Sequence, residues 1–530
     1  MILVWLLLVP LAGGLLAWPS DRINPLLPRV ISFASLLLEL VLLLPLLHAS
    51  TPASLIEPGH WLAAFDMPWI PAFGISFRLD LDGLSWLLIV LTVVIGLFSI
   101  VVSWTEIEDN VGFFHANLMW SLAGSIGVFL ALDLFLFFFF WEIMLVPMYF
   151  VIAIWGHENR RRAAIKFFLF TQGSGLLMLL SILALAFQHD QETGTLTFNY
   201  FKLLADQPAG MFGYLIMLGF FIAFLVKLPS FPLHTWLPET HTEAPTAGSV
   251  ILASILLKTA GYGLLRFAVP LFVAAAHNIA PIAMWLGVIS IFYGAVLAYG
   301  QNDLKKLVAY SSISHMGFVL LGIYSFNMLA WQGAVILMIA HGVSTGALFI
   351  TVGSIQKRLH TRDLGRMGGL WTDLPRLSSF GTFFILASMG IPGLGNFVGE
   401  FLILRGVYAV APNIAIFAAV GLIPAALYSL IAIQRAFHGD ASESRGAETS
   451  SIDATAPHAP VMHHATANNA RTHALADFGA RETVIMLALG AAIIAIGVYP
   501  QPILNIAAPG LANLTPAKTT AAMHATRTGT

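Results

Sequence analysis

The chain has 530 residues, of which 58% are hydrophobic and 10% charged, with a net charge of −2 and no cysteine. A soluble globular protein carries roughly 25% charged residues, so this composition describes a polytopic membrane protein, and the near-neutral balance argues against a nucleic-acid partner. Without cysteine there is no iron–sulfur cluster, thiolate zinc site, disulfide or thiol nucleophile, so any redox chemistry in which the chain takes part happens elsewhere.

Apolar runs of about 20 residues predict about fourteen transmembrane helices. Their cores lie near 2–17, 29–48, 83–104, 113–131, 134–154, 165–187, 211–240, 248–268, 283–299, 307–325, 328–352, 378–406, 412–434 and 483–505. Residues 1–18 are apolar but lack the basic n-region of a signal peptide, and read as the first span. If the N-terminus lies outside, most of the 25 lysines and arginines fall in inner loops, while the outer segments hold Arg78, Lys202, Arg266, Arg405, Lys518 and Arg527. That bias predicts both termini outside.

Two predicted helices are interrupted. Pro229 and Pro232 follow Lys227, and Pro392, Gly393 and Gly395 precede Glu400. Proline inside a span frees backbone groups that lipid cannot satisfy, so such breaks face protein or a water-filled cavity. Broken helices five apart in order suggest two repeated five-helix halves, 113–268 and 283–434, after three N-terminal helices within 1–112. The segment 438–480 is polar and alanine-rich, with His438, His458, His463, His464 and His473 at irregular spacings, and reads as an inner loop rather than a metal site. A last span at 483–505 and a loosely ordered tail at 507–530 complete the chain.

Four charges sit inside apolar stretches: Glu142, Lys227, Lys258 and Glu400. Each costs at least about 2.5–3.5 kcal/mol at mid-membrane, which points to a route for charge. Glu142 lies in FFFFWEIMLVPMYF (137–150) and Lys227 in LVKLPSFPLHTWLPETHTEAPTAGS (225–249). The plain alternatives are a protonated carboxyl bonded between helices and a lysine snorkelling to the interface. At about 7 Å and an effective dielectric of about 20 the pair would attract by about 2.4 kcal/mol, enough to change a proton affinity more than tenfold. Lys258, near mid-span in SVILASILLKTAGYGLLRF (249–267), has Gly261 and Gly263 nearby to permit close helix approach. Glu400 follows the second break in MGIPGLGNFVGEFLIL (389–404). His315 in AYSSISHMGF and His341 in LMIAHGVSTG occupy adjacent helices. Histidine titrates near neutral pH and has two nitrogens, so a proton relay is the favoured reading, with a structural role or a bis-histidine haem as competitors. His234 is a weaker relay candidate. Asp303, Lys305 and Lys306 read as loop charges, and Asp133 and Glu158 as ordinary helix ends.

The strings FFFFWEIMLVPMYF, LVKLPSFPLHTWLPETHTEAPTAGSVILASILLKTAGYGLLRF, QNDLKKLVAYSSISHMG and IPGLGNFVGEFLIL together resemble the antiporter-like subunits of proton-pumping NADH–quinone oxidoreductase, respiratory complex I. They cover about 134 to 404. Glutamate rather than lysine at position 400 is similar to the M branch, called subunit 4 in mitochondria, and not to subunits L and N. The resemblance implies an all-α polytopic fold of fourteen helices with two inverted five-helix repeats. It also implies proton translocation driven by quinone reduction in other subunits, in a bacterial inner membrane. By motif position Glu142 and Lys227 would be the input pair, Lys258 the central lysine, His315 and His341 the relay and Glu400 the exit. No cofactor is implied in this chain; NADH, FMN, iron–sulfur clusters and quinone would belong to partner subunits, with L and N among the membrane neighbours. The chain lacks the long lateral helix of subunit L, and the resemblance assigns no role to 438–480. Competing readings are a subunit of a cation/proton antiporter or membrane-bound hydrogenase of the same fold, or a scaffold whose buried charges only hold helices together.

Overall fold

The computed structural model describes residues 1–48, 60–438 and 475–514, so most of the predicted inner loop, with His458, His463, His464 and His473, and most of the tail lie outside the described residues. Among the described residues, thirteen helices are long and apolar enough to cross a membrane. They are α1 (Ile2–Ser20), α2 (Leu27–Leu47), α3 (Gly83–Ser103), α4 (Val111–Leu130), α5 (Leu134–Trp155), α6 (Arg160–Thr193), α7 (Gly210–Lys227), α9 (Thr246–Leu271), α10 (Val273–Tyr299), α11 (Leu304–Tyr324), α12 (Met328–Leu359), α15 (Pro412–His438) and α16 (Ala480–Val498). The short α8 (Trp236–Glu243) continues α7 after a break. A fourteenth crossing is made by α13 (Pro375–Ser388) and α14 (Gly395–Val410) in series, neither long enough alone. The chain is an all-α polytopic membrane protein.

Both breaks stand where the prolines place them. Residues 228–235 and 389–394 are non-helical, and Gly390 and Gly393 adopt φ of +84° and +93°, open only to a residue without a side chain. At the first break the freed groups find partners: Trp236 Nε1 donates to Val226 O at 2.8 Å, and Phe231 N donates to Ser290 Oγ at 3.0 Å.

Burial separates the helices into a centre and a rim. Every residue of α9 is buried, as is most of α12, whereas α1, α2, α15 and α16 expose leucine and isoleucine on their outer faces, as lipid requires. Glycines set the close crossings. A methyl group at Gly333 would strike the backbone of Ile403 and Gly399, and one at Gly399 would strike Leu337, so α12 and α14 meet backbone to backbone. Gly261 and Gly263 on α9 instead make room for side chains, the Met338 sulfur and the Phe224 ring.

Several boundaries differ from the sequence reading. α6 runs well beyond 165–187 at both ends, because the Arg160 to Arg162 turn and the polar 188–193 stretch are helical although neither is apolar. α10 begins at Val273, ten residues before the expected 283, because Pro281 falls inside a helix that packing holds together. The predicted last span ends at Val498, since Pro500 starts a separate helix, α17 (Gln501–Ala512). Between α2 and α3 lie four short strands, β1 (Ala63–Phe65), β2 (Pro68–Ile70), β3 (Ile75–Ser76) and β4 (Leu79–Leu81), with β1 antiparallel to β4 and β2 to β3. Gly74, at φ +66°, turns this double hairpin.

Two charges assigned to loops are buried instead. Lys305 is fully buried and its Nζ donates to Ala244 O at 2.6 Å, covering a carbonyl exposed where α8 gives way to α9. Arg266 is buried at the far end of α9 and paired with Asp82. Asp133 and Asp303 behave as helix ends: Asp133 accepts from Phe135 N and Leu136 N, and Asp303 from Lys305 N and Lys306 N.

Candidate functional site

Lys227 is the last residue of α7, so the break directs its side chain into the protein. Its Nζ stands 3.6 Å from the centre of the Trp141 ring and has no hydrogen-bond partner among the described residues. A desolvated ammonium over an indole face is held by about 2 kcal/mol, without a lone pair to receive its proton. Trp141 is in turn fixed by Phe137 and Phe224, with ring centres 5.6 and 5.4 Å away. Glu142, the next residue on α5, is half-buried. Its carboxylate meets Gln172 and packs against Gly175 on α6, where a methyl group would collide with Oε1. Lys227 and Glu142 feel one another's charge without a direct ion pair.

Lys258 lies at the midpoint of α9, between two π-helical stretches, Leu252–Leu256 and Leu264–Ala268. Such widened turns loosen the backbone pattern and gather at functional sites. Lys258 Nζ donates to Ala253 O and lies 2.8 Å from His341 Nδ1 on α12. The rings of His341 and His315 are 5.4 Å apart between centres. His315 Nδ1, on α11, lies 2.8 Å from Glu400 Oε1, and its Nε2 lies 3.1 Å from Ser388 Oγ at the end of α13. Lysine, two histidines and glutamate from α9, α12, α11 and α14 therefore form one contiguous row, all but fully buried. Both nitrogens of His315 are engaged, which leaves it no lone pair for a haem iron.

The sequence reading missed His241. It sits on α8, fully buried and stacked on Phe349 with ring centres 4.5 Å apart, and neither ring nitrogen has a hydrogen-bond partner among the described residues. Lys258, Lys305 and His341 are the ionisable groups whose fields it meets. The signal available in the sequence was its place in the broken segment, fourteen residues past Lys227, where a polar run crosses what should be membrane. His234, the weaker candidate, packs edge-on to Tyr293 at 4.9 Å and meets the field of Lys166, which is itself bonded to Glu239 at 2.7 Å. Among the described residues it bonds neither Lys227 nor Lys258. His438 stacks on Trp371, and no group of three or more metal-ligating side chains occurs among the described residues.

A polar cavity of about 280 Å³ opens at the end of the bundle that carries Lys357 and Arg481, lined by Glu106, His157, Thr246, Gln356 and His360 among others. Glu106 accepts from Thr246 N at 2.8 Å and from its Oγ1 at 2.9 Å, capping the start of α9. His157 is held down to about 4 by burial first, and then by the charges of Lys305 and Arg362.

Residues 131–424 match the family model described as NADH:quinone oxidoreductase/Mrp antiporter, TM. NADH-quinone oxidoreductase subunit M of Pseudomonas aeruginosa is 50% identical over 521 residues, covering 96% of this chain and 97% of that protein. A chain of respiratory complex I from Thermus thermophilus with bound NADH superposes with a TM-score of 0.81 at 30% identity, covering 97% of this chain and all of that one. A chain of the Mrp complex from Dietzia shares the fold, with a TM-score of 0.81 at 19% identity over 98% of both chains. By the family model, by half-identity over nearly the whole length and by its fold, the chain belongs to the NADH-quinone oxidoreductase subunit M family.

Proposed function

We propose that this chain moves protons across the membrane through the row Glu142, Lys227, His241, Lys258, His341, His315 and Glu400, driven by quinone reduction in other subunits of its complex. The observation that carries the reading is the contact series Lys258–His341–His315–Glu400, with polar distances of 2.8 Å at each end and a 5.4 Å ring spacing between. Groups that accept and donate follow one another there in a largely apolar interior. Polar atoms along it that have no partner among the described residues, Lys227 Nζ, both His241 nitrogens and His341 Nε2, are natural partners for a hydrated path.

In this reading Glu142 loads or releases the charge that governs Lys227. Lys227 passes its proton inward past His241 to Lys258, and Glu400 delivers it to the far side. His234 serves the mouth of the path rather than its axis. The two five-helix halves span 113–268 and 283–434, the basic end faces the bacterial cytoplasm, and both termini lie outside. Subunits L and N are the neighbours, and NADH, FMN, iron–sulfur clusters and quinone stay in other chains. Each proton moved against 100 mV demands about 2.3 kcal/mol from that redox chemistry. The test is proton pumping in vesicles carrying the whole complex. Lys258→Ala and Glu400→Gln should abolish pumping while the complex assembles, and normal pumping by both would return the buried charges to a scaffold role.

A further inference from the structure

At the end of the bundle that carries the basic loops, two cations converge on one threonine. Lys357 stands two residues before the end of α12, Arg481 is the second residue of α16, and Thr105 lies just past the end of α3. Lys357 Nζ donates to Thr105 O at 2.9 Å and to its Oγ1 at 3.0 Å, and Arg481 Nη2 donates to the same Oγ1 at 2.9 Å. The two positive groups therefore stand within about 6 Å of one another and repel. The nearby carboxylates are committed elsewhere. Glu482 pairs with Arg358 at 2.8 Å and accepts from Gly479 N at 3.0 Å, while Glu106 caps α9 through Thr246. Among the described residues neither Lys357 nor Arg481 has an acidic partner.

We propose that the cavity these cations line is a phosphate-binding site at the membrane surface, filled by an anionic phospholipid headgroup or by free phosphate. A lysine has three N–H donors and an arginine five, so both keep donors for a ligand after bonding Thr105. A guanidinium fork beside an ammonium matches the oxygens of a phosphate, and the anion's charge relieves the repulsion between the two. The cavity, about 280 Å³, is many times what one water needs. Its walls divide by chemistry: His360 joins the cations on the polar side, while Val101 and Val102 of α3, Ile350 of α12 and Ile485 of α16 form an apolar wall. Basic pockets between helix ends are where anionic headgroups lodge, and the apolar wall offers the start of a chain a place to lie. Helices α3 and α12 end here and α16 begins, which sets the site at headgroup depth, and Trp104 at the end of α3 is a residue of that interface. An occupied site ties the last span, through Arg481, to the buried centre, through Lys357.

This site stands apart from the proton path, and its readout is binding. The purified full chain in detergent is titrated with phosphatidylglycerol and weighed by native mass spectrometry, and in a second arm it is titrated with inorganic phosphate by equilibrium dialysis. The wild type should retain the lipid. Lys357→Gln combined with Arg481→Gln should weaken that binding by about tenfold or more, the worth of one hydrogen bond to a charged group. Lys357→Arg keeps the charge and the donors and should bind as the wild type does, which separates a lost ligand contact from a disturbed fold. If the double variant does not fold, Arg481→Gln alone should still bind several-fold more weakly. Phosphate binding that depends on the same two cations, without lipid binding, supports the site and names the free anion as its ligand. Failure of the wild type to bind either probe, affinities that the glutamine variants leave unchanged, or a Lys357→Arg chain that loses the ligand as they do, overturns it.

Discussion

The two broken crossings look alike in sequence and solve different problems in space. At the first, the charge precedes the break: Lys227 ends α7, lies over Trp141 and has no hydrogen-bond partner among the described residues. At the second, the charge follows it: Glu400 sits in α14 and lies 2.8 Å from His315. A lysine held by an aromatic face has no hydrogen bond to a described residue that must break when its surroundings change. A carboxylate bonded to a histidine that also meets Ser388 has its contacts fixed on both sides, which suits the end of the proposed relay. In the proposed reading the first break switches and the second conducts.

The contrast can be broken most severely at the first site. Lys227→Ala and Glu142→Ala should each reduce pumping by about tenfold or more, the factor that 1.4 kcal/mol carries, in vesicles where assembly is verified. Trp141→Leu removes the ring face alone and sharpens the idea: a loss of pumping smaller than that of Lys227→Ala is expected, and an unaffected complex would remove Trp141 from the switch. At the second site, His315→Gln retains hydrogen-bonding capacity but cannot carry a proton, so pumping should fall while Glu400 stays in place. His241→Phe preserves the stack on Phe349 and deletes both nitrogens; a partial, several-fold loss of pumping is the expected result.

The smallest effects lie at the basic end, where charges serve the fold. Asp303→Ala removes the cap of α11 and a 3.2 Å bridge to Arg362, which should lower stability by about 1 kcal/mol in thermal unfolding with pumping retained. His157 sets a pH dependence. Its folded value of about 4 lies below the ordinary 6.5, so the unfolded chain binds the extra proton between those values. Stability is therefore greatest above pH 6.5 and falls as pH drops toward 4, and His157→Gln should flatten that fall.

Much of the candidate site was legible because lipid makes buried charge conspicuous. Glu142, Lys227, Lys258 and Glu400 stood out against apolar runs, and His315 and His341 by their place on neighbouring helices. His241 was hidden because it lies in a polar stretch where one more polar residue carries no contrast. Lys305 and Arg266 were misread for the opposite reason: each sits near a predicted helix end, where a charge is ordinary, and only packing shows that α9 and its neighbours bury both. Helix limits were least legible where polar residues are helical, at both ends of α6 and the start of α10.

By itself the sequence determined that the chain crosses a membrane about fourteen times, that two crossings are broken, and that charge enters the interior at four points. Those follow from local physics: hydrophobic length, proline's missing donor and the cost of charge in lipid. Only the tertiary structure decided which of those charges touch. Lys258 and His341 are 83 residues apart and His315 and Glu400 are 85 apart, and no periodicity within one helix specifies such pairs. They meet because glycines on α12 and α14 let backbones approach, and because buried polar groups there find partners in one another.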